Sequence, residues 1–317
     1  MSDKQDKIIV ILGATATGKT GLGVYLAHKY NGEIISADSR QVYKGMDIGT
    51  GKDLGDYKFK YKDKNGKIKI KNIPYHLMDV VSPKTEFNLA KYCRLAEKAI
   101  QDILERKKVP IIVGGSGLYL QALVDGYDLT KVKADQNLRE RLEKLSPLEI
   151  FSLLKKKDKK FAENLNNSER NNKRHLIRYY ENIVYKNKGK LNLFQNENRE
   201  FLILGLSRSK EEIERRIYKR LIERIKKEQM IEEVENLHKN GVSWKRLYGF
   251  GLEYRFISSY LKNEISLEEM QEKLFIAIRQ FAKRQMTWFR RWERQGREIY
   301  WISKKQEANK LIKEFLK

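Results

Sequence analysis

Short apolar runs alternate with helical patterns along most of the chain, and this alternation predicts the fold. The apolar runs fall at residues 8–12, 33–37, 75–81, 110–113, 201–206 and 299–302. Patterns with helical spacing fall at residues 21–30, 88–107 and 210–239. Strands that alternate with helices form a parallel sheet with helices on its faces. We therefore predict an α/β fold whose core is a parallel sheet.

The pattern changes between residues 126 and 195, where charge-rich helical segments replace the strand runs. The chain is long enough for a sizeable core together with an inserted module. We predict three parts in chain order. They are a first part of the core at residues 1–125, a mainly helical insertion at 126–195, and a completion of the core with basic helices at 196–317.

Residues 56–72 have a different, two-residue alternation, with Asn65-Gly66 at its centre. Alternation around an Asn-Gly pair predicts a β-hairpin. Lysines occupy many of the alternate positions, so we expect a surface hairpin with solvated lysines.

The charge of the chain points to a polyanionic partner. There are 66 Lys and Arg residues against 42 Asp and Glu, which gives a net charge of +24. Nucleic acid and an anionic membrane would both attract such a protein. A lysine-rich composition without function would explain part of the excess, because many lysines lie in spacers such as residues 155–160.

The remaining composition excludes several classes. Cys93 is the only cysteine, so neither an intrachain disulfide nor a thiolate metal cluster is possible, and we expect a small buried side chain on a helix. No run approaches 18 apolar residues, and the first residues lack the pattern of a signal peptide. We expect a cytoplasmic protein without a membrane segment.

Residues 13–20, Gly-Ala-Thr-Ala-Thr-Gly-Lys-Thr, lie between the first strand run and the first helix. The spacing G-x4-G-K-T in this context is specific for a phosphate-binding loop. Its backbone N–H groups cradle a di- or triphosphate, Lys19 adds a positive charge, and the Thr20 hydroxyl can reach Mg²⁺. The loop alone does not identify the molecule that carries the phosphate, and by motif alone ATP is the first candidate.

Asp38 ends the second strand run, and a second glycine turn, Gly114-Gly115-Ser116-Gly117, ends a later one. Because the carboxyl ends of parallel strands face the ligand crevice, Asp38 is a candidate general base or metal ligand. Capping of a helix over residues 39–43 is the competing interpretation. The later strand does not end in the aspartate that a P-loop ATPase places near its Mg²⁺, which argues against a motor or helicase.

Three later segments combine basic and aromatic residues: 172–185, 247–255 and 279–292. Such segments suit a nucleic-acid backbone and the stacking of bases. Solvated helix faces with an aromatic core stripe explain the same pattern, and the two interpretations can hold on different faces of one helix.

Five motifs occur together in this chain, at residues 13–20, 35–50, 75–81, 113–119 and 281–290. Taken together, they closely resemble the tRNA dimethylallyltransferase family, whose members prenylate adenosine 37 beside the anticodon. The resemblance runs in order from residue 8 to about residue 295.

The resemblance implies a P-loop NTPase-like core whose loop binds dimethylallyl diphosphate rather than a nucleotide. It implies that Gly13, Ala14, Thr15, Ala16, Thr17, Gly18, Lys19 and Thr20 bind the diphosphate, with Mg²⁺ on Thr20. Asp38 matches the general base of the family. Arg216, in the pattern Arg216-Ile217-x-x-Arg220, looks like the arginine that contacts the pyrophosphate, and so Asp38, Arg216, Lys19 and Thr20 are the implied catalytic residues.

The same resemblance implies a tRNA surface that includes the insertion. The implied tRNA-binding residues are Asp38, Ser39, Arg40, Gln41, Ser116, Lys173, Arg174, His175, Leu176, Ile177, Gly251, Arg284 and Gln285. The implied partners are the anticodon stem-loop of tRNA and dimethylallyl diphosphate, and we expect a monomer that acts without a membrane.

The implied reaction transfers a dimethylallyl group to N6 of adenosine 37 after the base has been flipped into the pocket, and it releases diphosphate. Prenyl transfer to free adenine nucleotides, an ATP-dependent small-molecule kinase and a non-enzymatic RNA-binding ATPase are the alternatives. The high positive charge favours tRNA over free nucleotides. Two departures from the family pattern are the length of the 56–72 hairpin and the order Gly251-Leu252-Glu253-Tyr254.

Overall fold

The α/β core is a six-stranded parallel sheet, in which the tenth, ninth, first, sixth, second and fifth strands of the chain lie side by side in that order. The computed structural model describes residues 5–126, 128–130, 135–185, 190–192 and 198–317. The strands are β1 (Asp6–Gly13), β2 (Gly32–Ala37), β3 (Lys58–Lys62), β4 (Ile68–Asn72), β5 (Tyr75–His76), β6 (Val109–Gly114), β7 (Asp128–Thr130), β8 (Lys190–Asn192), β9 (Arg199–Leu206) and β10 (Tyr300–Ile302).

The described residues also form helices. They are α1 (Lys19–Lys29), α2 (Leu89–Glu105), α3 (Gly117–Val124), α4 (Gln136–Glu143), α5 (Pro147–Lys157), α6 (Lys159–Glu163), α7 (Asn167–Arg170), α8 (Lys173–Val184), α9 (Lys210–Lys226), α10 (Met230–Lys239), α11 (Trp244–Phe250), α12 (Leu252–Leu261), α13 (Leu267–Arg294) and α14 (Lys305–Phe315). A 3₁₀ turn, Leu54–Tyr57, precedes β3. Within the described residues, no helix is both long enough and apolar enough to cross a membrane.

The predicted parallel α/β sheet is confirmed. Its central strands β1, β6 and β2 consist mainly of fully buried aliphatic residues, as expected for strands covered on both faces. Cys93 is buried on α2, as the sequence predicts. The carboxyl ends of β1, β2 and β6 meet at one edge, where the glycine turns follow β1 and β6.

Two predicted elements are wrong in their extent. The helical pattern at 210–239 forms two helices, because Gln229 has φ 60° and interrupts the helical backbone before Met230. The apolar run at 75–81 contains only the two-residue strand β5, since Leu77 and Asp79 also have positive φ values of 64° and 54°. Residues with positive φ cannot continue a strand or a helix.

The chain separates into two compact units, Met1–Gly126 with Phe194–Lys317, and Tyr127–Leu193. The second unit consists of α4 to α8 with the small antiparallel pair of β7 and β8. Its apolar core includes Leu142, Ile150, Leu154 and Leu176. The predicted role of this unit in binding tRNA stays a prediction.

A buried carboxylate anchors the amino-terminal end of β2, which lies opposite the glycine turns. Glu33 is 2% exposed and accepts hydrogen bonds from Arg106, from Lys108 Nζ at 2.7 Å and from His76 Nε2 at 2.8 Å. The Arg106 guanidinium, with Lys108 and His76, holds the pKa of Glu33 well below its usual range despite its burial. Because the folded-state pKa is lowered, this cluster stabilises the fold above the unfolded pKa and loses that effect as the pH falls.

We therefore expect Glu33→Gln to lower the free energy of unfolding at neutral pH by about 1.5–3 kcal/mol, the range for hydrogen bonds to charged groups. The wild type should lose the same increment as the pH falls below about 4.5, the ordinary pKa of glutamate. Urea denaturation at several pH values measures both effects. Glu235→Gln, which removes an exposed pair with Lys239 on α10, should change stability by only about 0.3–0.5 kcal/mol. Equal losses in the two variants would contradict the prediction.

Candidate active site

The loop between β1 and α1 has the backbone of a phosphate-binding turn. Gly13, Ala16 and Gly18 have φ values of 153°, 63° and 93°. A Cβ atom at Gly13 would lie 2.9 Å from the carbonyl oxygen of Leu206, so only glycine fits there without a backbone shift. The buried Thr17 hydroxyl donates to the carbonyl of Ala14 at 2.8 Å and fixes the turn from within.

Three cationic side chains approach this loop. Lys19 Nζ donates to Ala14 O at 2.7 Å. On α9, Arg216 Nη1 lies 3.4 Å from Ala16 O, and Arg220 Nη2 donates to Thr15 Oγ1 at 2.6 Å. Arg216 also pairs with Glu212 at 2.8 Å, whereas the hydrogen bonds of Lys19 and Arg220 to described residues go to a carbonyl and a hydroxyl.

Burial lowers the pKa of both cations that lack a carboxylate partner. The pKa of Lys19 is lowered to about 8 by desolvation and then by Arg220, and Asp38 acts in the opposite direction. The pKa of Arg220 is lowered to about 10 by desolvation and then by the neighbouring Arg224. A bound anion would relieve this unfavourable concentration of positive charge. The loop is therefore prepared electrostatically for a di- or triphosphate.

We expect the affinity of the protein for a diphosphate ester to fall as the pH rises above about 8, by up to about tenfold per pH unit. The reason is that the free protein then holds neutral Lys19, which must take up a proton when the anion binds. Isothermal titration calorimetry between about pH 7 and about pH 9.5, in buffers of different ionisation enthalpy, measures the affinity and the proton uptake.

Lys19→Arg provides the comparison for this titration, because a guanidinium stays charged over the same pH range. The affinity of the Lys19→Arg variant for a diphosphate ester should be nearly independent of pH over this range. An identical bend in the wild type and in Lys19→Arg would assign the titration to another group.

Asp38 lies at the carboxyl end of β2, beside the phosphate loop. Its Oδ1 accepts from the backbone N–H groups of Arg40 at 2.8 Å and Gln41 at 3.4 Å. These bonds close a turn, and the helix weighed for residues 39–43 does not form. In the part of the chain that the structure describes, Oδ2 makes no hydrogen bond. The carboxylate therefore caps a turn with one oxygen and has the other available to a ligand.

The second glycine turn is joined to the phosphate loop by Gln285 of α13. Gln285 Nε2 donates to Gly115 O at 2.9 Å, and its Oε1 accepts from Thr15 N at 2.8 Å. A Cβ at Gly115 would lie 2.3 Å from Gln285 Nε2, and one at Gly114 would lie 2.2 Å from Ala37 O. Gln285 is 7% exposed, so its evident role is to hold the two turns together. Contact of its side chain with tRNA stays a prediction.

A single cavity of about 570 Å³ unites most of the predicted site. Its lining includes most of the phosphate loop, Asp38, Arg216 and the predicted tRNA-binding residues of the core. Those predicted residues are Thr15, Ala16, Gly18, Lys19, Thr20, Asp38, Ser39, Arg40, Gln41, Ser116, Arg216, Gly251, Arg284 and Gln285. Apolar side chains that also line it include Tyr57, Val113, Phe250, Ile278 and Phe281.

The other predicted tRNA-binding residues belong to α8 in the second unit. Leu176 and Ile177 are buried in the apolar core of that unit, so their side chains are not exposed to a partner, and contact of these positions with RNA stays a prediction. Lys173 Nζ donates to Glu143 O. Arg174 and His175 are exposed and remain candidates for contact with RNA.

Comparison with known protein families gives two matches along the chain. A family model described as IPP transferase matches residues 41–292, and a second, described as isopentenyl transferase, matches residues 6–61. The chain belongs to the IPP transferase family. The predicted family and the assignment as an enzyme of this prenyl-transferring class are confirmed.

Individual relatives match over nearly their whole length. The tRNA dimethylallyltransferase 2 of Citrifermentans bemidjiense is 44% identical over 93% of this chain and 90% of its own. That of Treponema denticola is 44% identical over 96% and 98%.

The solved structures agree in fold. The full-length tRNA isopentenylpyrophosphate transferase from Bacillus halodurans has a TM-score of 0.68 at 30% identity and covers 98% of this chain and 97% of that one. A eukaryotic dimethylallyltransferase acting on tRNA has a TM-score of 0.71 at 28% identity, over 89% of this chain and 69% of its own. The P-loop NTPase-like core predicted from the resemblance is confirmed.

The residues around Thr20 fit a magnesium ion held mainly by a substrate. Thr20 lines the cavity at the start of α1, where its hydroxyl is a hard oxygen donor. Within the described residues, no group of three His, Cys, Asp or Glu side chains could hold a metal without further ligands. Mg²⁺ often binds through one protein oxygen, several waters and substrate phosphates. The donor set is therefore compatible with Mg²⁺ and a diphosphate together.

Reasoning from the sequence missed two parts of the cavity. The first consists of Arg220 and Arg224 of α9, which follow the predicted Arg216 at intervals of four residues and line the cavity with it. The four-residue spacing, which puts side chains on one helix face, was the available signal. The second is the loop that contains Thr50 and Gly51, two residues that also line the cavity.

Glu233 of α10 holds that loop in place. Its carboxylate accepts from the backbone N–H groups of Asp47 at 2.7 Å, Ile48 at 2.6 Å and Gly49 at 3.1 Å. It also accepts from the hydroxyl of the buried Tyr254 at 2.8 Å. The sequence gives no signal for this contact, because 184 residues separate Gly49 from Glu233.

The loop is in turn connected to Asp38. Gln41 Nε2 donates to Gly51 O at 3.0 Å, Gln41 Oε1 accepts from Ser36 Oγ at 2.8 Å, and the backbone N–H of Gln41 reaches Asp38. A displaced loop would therefore disturb the candidate base.

In Glu233→Gln we expect the backbone amides of residues 47–49 to exchange hydrogen faster and the free energy of unfolding to fall by about 1.5–3 kcal/mol. The amide that replaces the carboxylate presents a donor to backbone donors, so part of this set of hydrogen bonds is lost. Hydrogen–deuterium exchange with mass spectrometry measures the local effect. Glu232→Gln, at the exposed neighbouring position, should leave exchange of the loop unchanged; a similar change there would refute a specific role for Glu233.

Proposed function

We propose that the protein transfers the dimethylallyl group of dimethylallyl diphosphate to N6 of adenosine 37 in tRNA and releases diphosphate. One observation carries the proposal. Two desolvated cations without a carboxylate partner, Lys19 and Arg220, lie at a phosphate loop that shares one cavity with the carboxylate of Asp38. The names of the relatives, tRNA dimethylallyltransferases, support tRNA as the acceptor.

Asp38 acts as the general base in this reaction. The exocyclic amine of adenine is a poor nucleophile, because its lone pair is delocalised into the ring. As N6 forms a bond to the allylic carbon, its proton passes to Asp38. The bond between that carbon and the diphosphate oxygen breaks, and the bonding electrons leave with the diphosphate. Oδ2 is the oxygen of Asp38 with no competing hydrogen bond in the described structure.

The phosphate loop stabilises the leaving group. Backbone N–H groups of the loop, Lys19, Arg216 and Arg220 are fixed before the reaction, so they oppose the developing negative charge without reorganising. Mg²⁺ held by Thr20 and the diphosphate would add positive charge at the same place.

The acceptor base must leave its stack to reach Asp38. Unstacking costs a few kcal/mol, which contacts with the rest of the RNA must offset. Phe250 and Arg255 line the cavity, and Arg255 lies over the exposed ring of Tyr248, 4.9 Å from its centroid. These groups offer stacking and cationic contacts to nucleotides beside the flipped base.

Radiolabelled substrates test the proposal directly. We expect label from dimethylallyl diphosphate to enter tRNA, and mass spectrometry of digested tRNA to find the added group on adenosine 37. A transcript with guanosine at this position is the matched control and should stay unlabelled. Transfer of label from the γ-phosphate of ATP, with none from dimethylallyl diphosphate, would instead establish a kinase. Prenylation of free adenine nucleotides, with none of tRNA, would also overturn the proposal.

A further inference from the structure

The lysine hairpin, residues 58–72, is built from β3, β4 and the turn between them. One of its faces is fixed to the core. Phe59 stacks on His28 of α1 with ring centroids 4.4 Å apart, and Tyr61 lies 4.7 Å from the same imidazole. Tyr25 packs against Phe59 as well, at 6.3 Å. These contacts give the hairpin a defined orientation on α1.

The opposite face carries a row of lysines. Lys58, Lys60 and Lys62 alternate with the aromatic residues and are exposed, so they point away from α1. Alternate residues of a strand are about 6.6 Å apart, which gives a regular line of positive charge.

The partner strand completes this face with two exposed aliphatic side chains. Ile70 lies opposite Lys60 and is 58% exposed, and Ile68 lies opposite Lys62 and is 71% exposed. The face therefore offers both cations and apolar contact area to a partner.

The charge of the hairpin is almost uncompensated. It contains seven lysines and one acidic residue, Asp63, which pairs with Lys69 and accepts from backbone N–H groups of the turn. Like charges this close repel each other, and a polyanion would remove the repulsion while releasing its own counterions.

The hairpin also begins at the cavity. Tyr57, the residue before β3, lines the cavity, and its carbonyl accepts from Ile73 N at 2.8 Å where the chain returns. From this base, the hairpin follows α1 away from the phosphate loop, toward His28 near the end of that helix. An RNA whose anticodon loop entered the cavity would have its remaining backbone outside, available to this face.

We propose that the outer face of the lysine hairpin, Lys58, Lys60, Lys62, Ile68 and Ile70, docks the sugar-phosphate backbone of the tRNA substrate outside its anticodon loop. The inference rests on the proposed function. It adds to that function a contact remote from the chemistry, which raises affinity for whole tRNA without taking part in the reaction.

The triple variant Lys58→Gln/Lys60→Gln/Lys62→Gln tests the proposal by charge alone. With full-length tRNA, we expect KM and the binding constant from fluorescence anisotropy to weaken about tenfold or more, with kcat unchanged. The slope of log K against log salt should become shallower by about 2–3. With an isolated anticodon-loop oligonucleotide, both constants should stay at the wild-type values.

Three exposed lysines on and beside α14 provide a matched control. The variant Lys304→Gln/Lys310→Gln/Lys313→Gln removes the same formal charge and should not change KM for full-length tRNA or its salt slope by a comparable amount. An equal change of KM and salt slope in both triple variants would show that only the net charge of the protein matters. That result would overturn the proposal of a specific docking face.

Excision of the hairpin gives an independent test. Lys58 and Asn72 are paired across the hairpin, so residues 59–71 can be replaced by Asn-Gly, which closes a two-residue turn. We expect kcat on the anticodon-loop oligonucleotide to be retained, which shows an intact site, and the loss in affinity for full-length tRNA to be at least as large as in the first variant.

The outcomes separate this proposal from the proposed function. Wild-type binding and salt slope in the hairpin variants would overturn the docking face alone. Hairpin-dependent binding of tRNA by a wild-type protein that prenylates no RNA would overturn the proposed reaction alone. Lysine-dependent binding to vesicles containing phosphatidylserine, without any effect on tRNA, would assign the face to a membrane and overturn the proposal.

Discussion

In an Asp38→Asn variant we expect kcat for prenyl transfer to fall by about 10²–10⁴-fold, the usual contribution of a general base. Asparagine keeps the shape of the side chain and an oxygen that can accept from the N–H of Arg40. It cannot take the proton from N6. Binding of dimethylallyl diphosphate, measured by calorimetry, should therefore change little while single-turnover transfer to tRNA slows.

Asp56→Asn is the matched control for this experiment. Asp56 also lines the cavity but is exposed, and no proposed step uses it. We expect its rate to stay within a few-fold of the wild type. Full activity of Asp38→Asn would show that Asp38 is not the general base.

In an Arg220→Met variant we expect kcat/KM for dimethylallyl diphosphate to fall by about 10²–10³-fold, as when one preorganised donor to a developing anion is removed. Arg220 donates to Thr15 of the phosphate loop and is desolvated there. Methionine fills similar space without charge. Steady-state kinetics with saturating tRNA measures the loss.

The same variant should not lose stability in step with its activity. The wild-type protein partly buries the Arg220 charge without a carboxylate contact among the described residues, so its removal should leave the melting temperature unchanged or raise it. Arg215→Met, at an exposed position on the same helix, should change neither quantity appreciably. A variant of Arg220 that loses both activity and stability would indicate a structural role instead.

The parts of the fold set by local pattern could be predicted. β1 and β6 are recognisable because buried parallel strands are continuous aliphatic runs, and the phosphate loop because its glycines sit at fixed spacing. The paired strands of the lysine hairpin follow from alternation around Asn65-Gly66. In each case the residues that determine the structure are neighbours in the chain.

The predictions from sequence failed where the structure depends on more than the local pattern of residues. A continuous helical pattern does not reveal the break at Gln229, which requires one residue with positive φ in a segment of good helix formers. The motif that implies RNA contact for residues 173–177 does not show that the side chains of Leu176 and Ile177 pack in the core of the second unit. Glu233 could not be assigned at all, since carboxylates on a charged helix look alike until the loop they bind is known.

The amide of Gln285 has a consequence for how the enzyme is made. It bonds Thr15, 270 residues earlier in the chain, and Gly115, so the phosphate loop is clamped only after α13 has formed and docked. During synthesis the loop leaves the ribosome well before Gln285, because 270 residues separate Thr15 from Gln285. A nascent chain that already contains the complete diphosphate motif therefore lacks a finished site until α13 has also been synthesised and has packed against the loop.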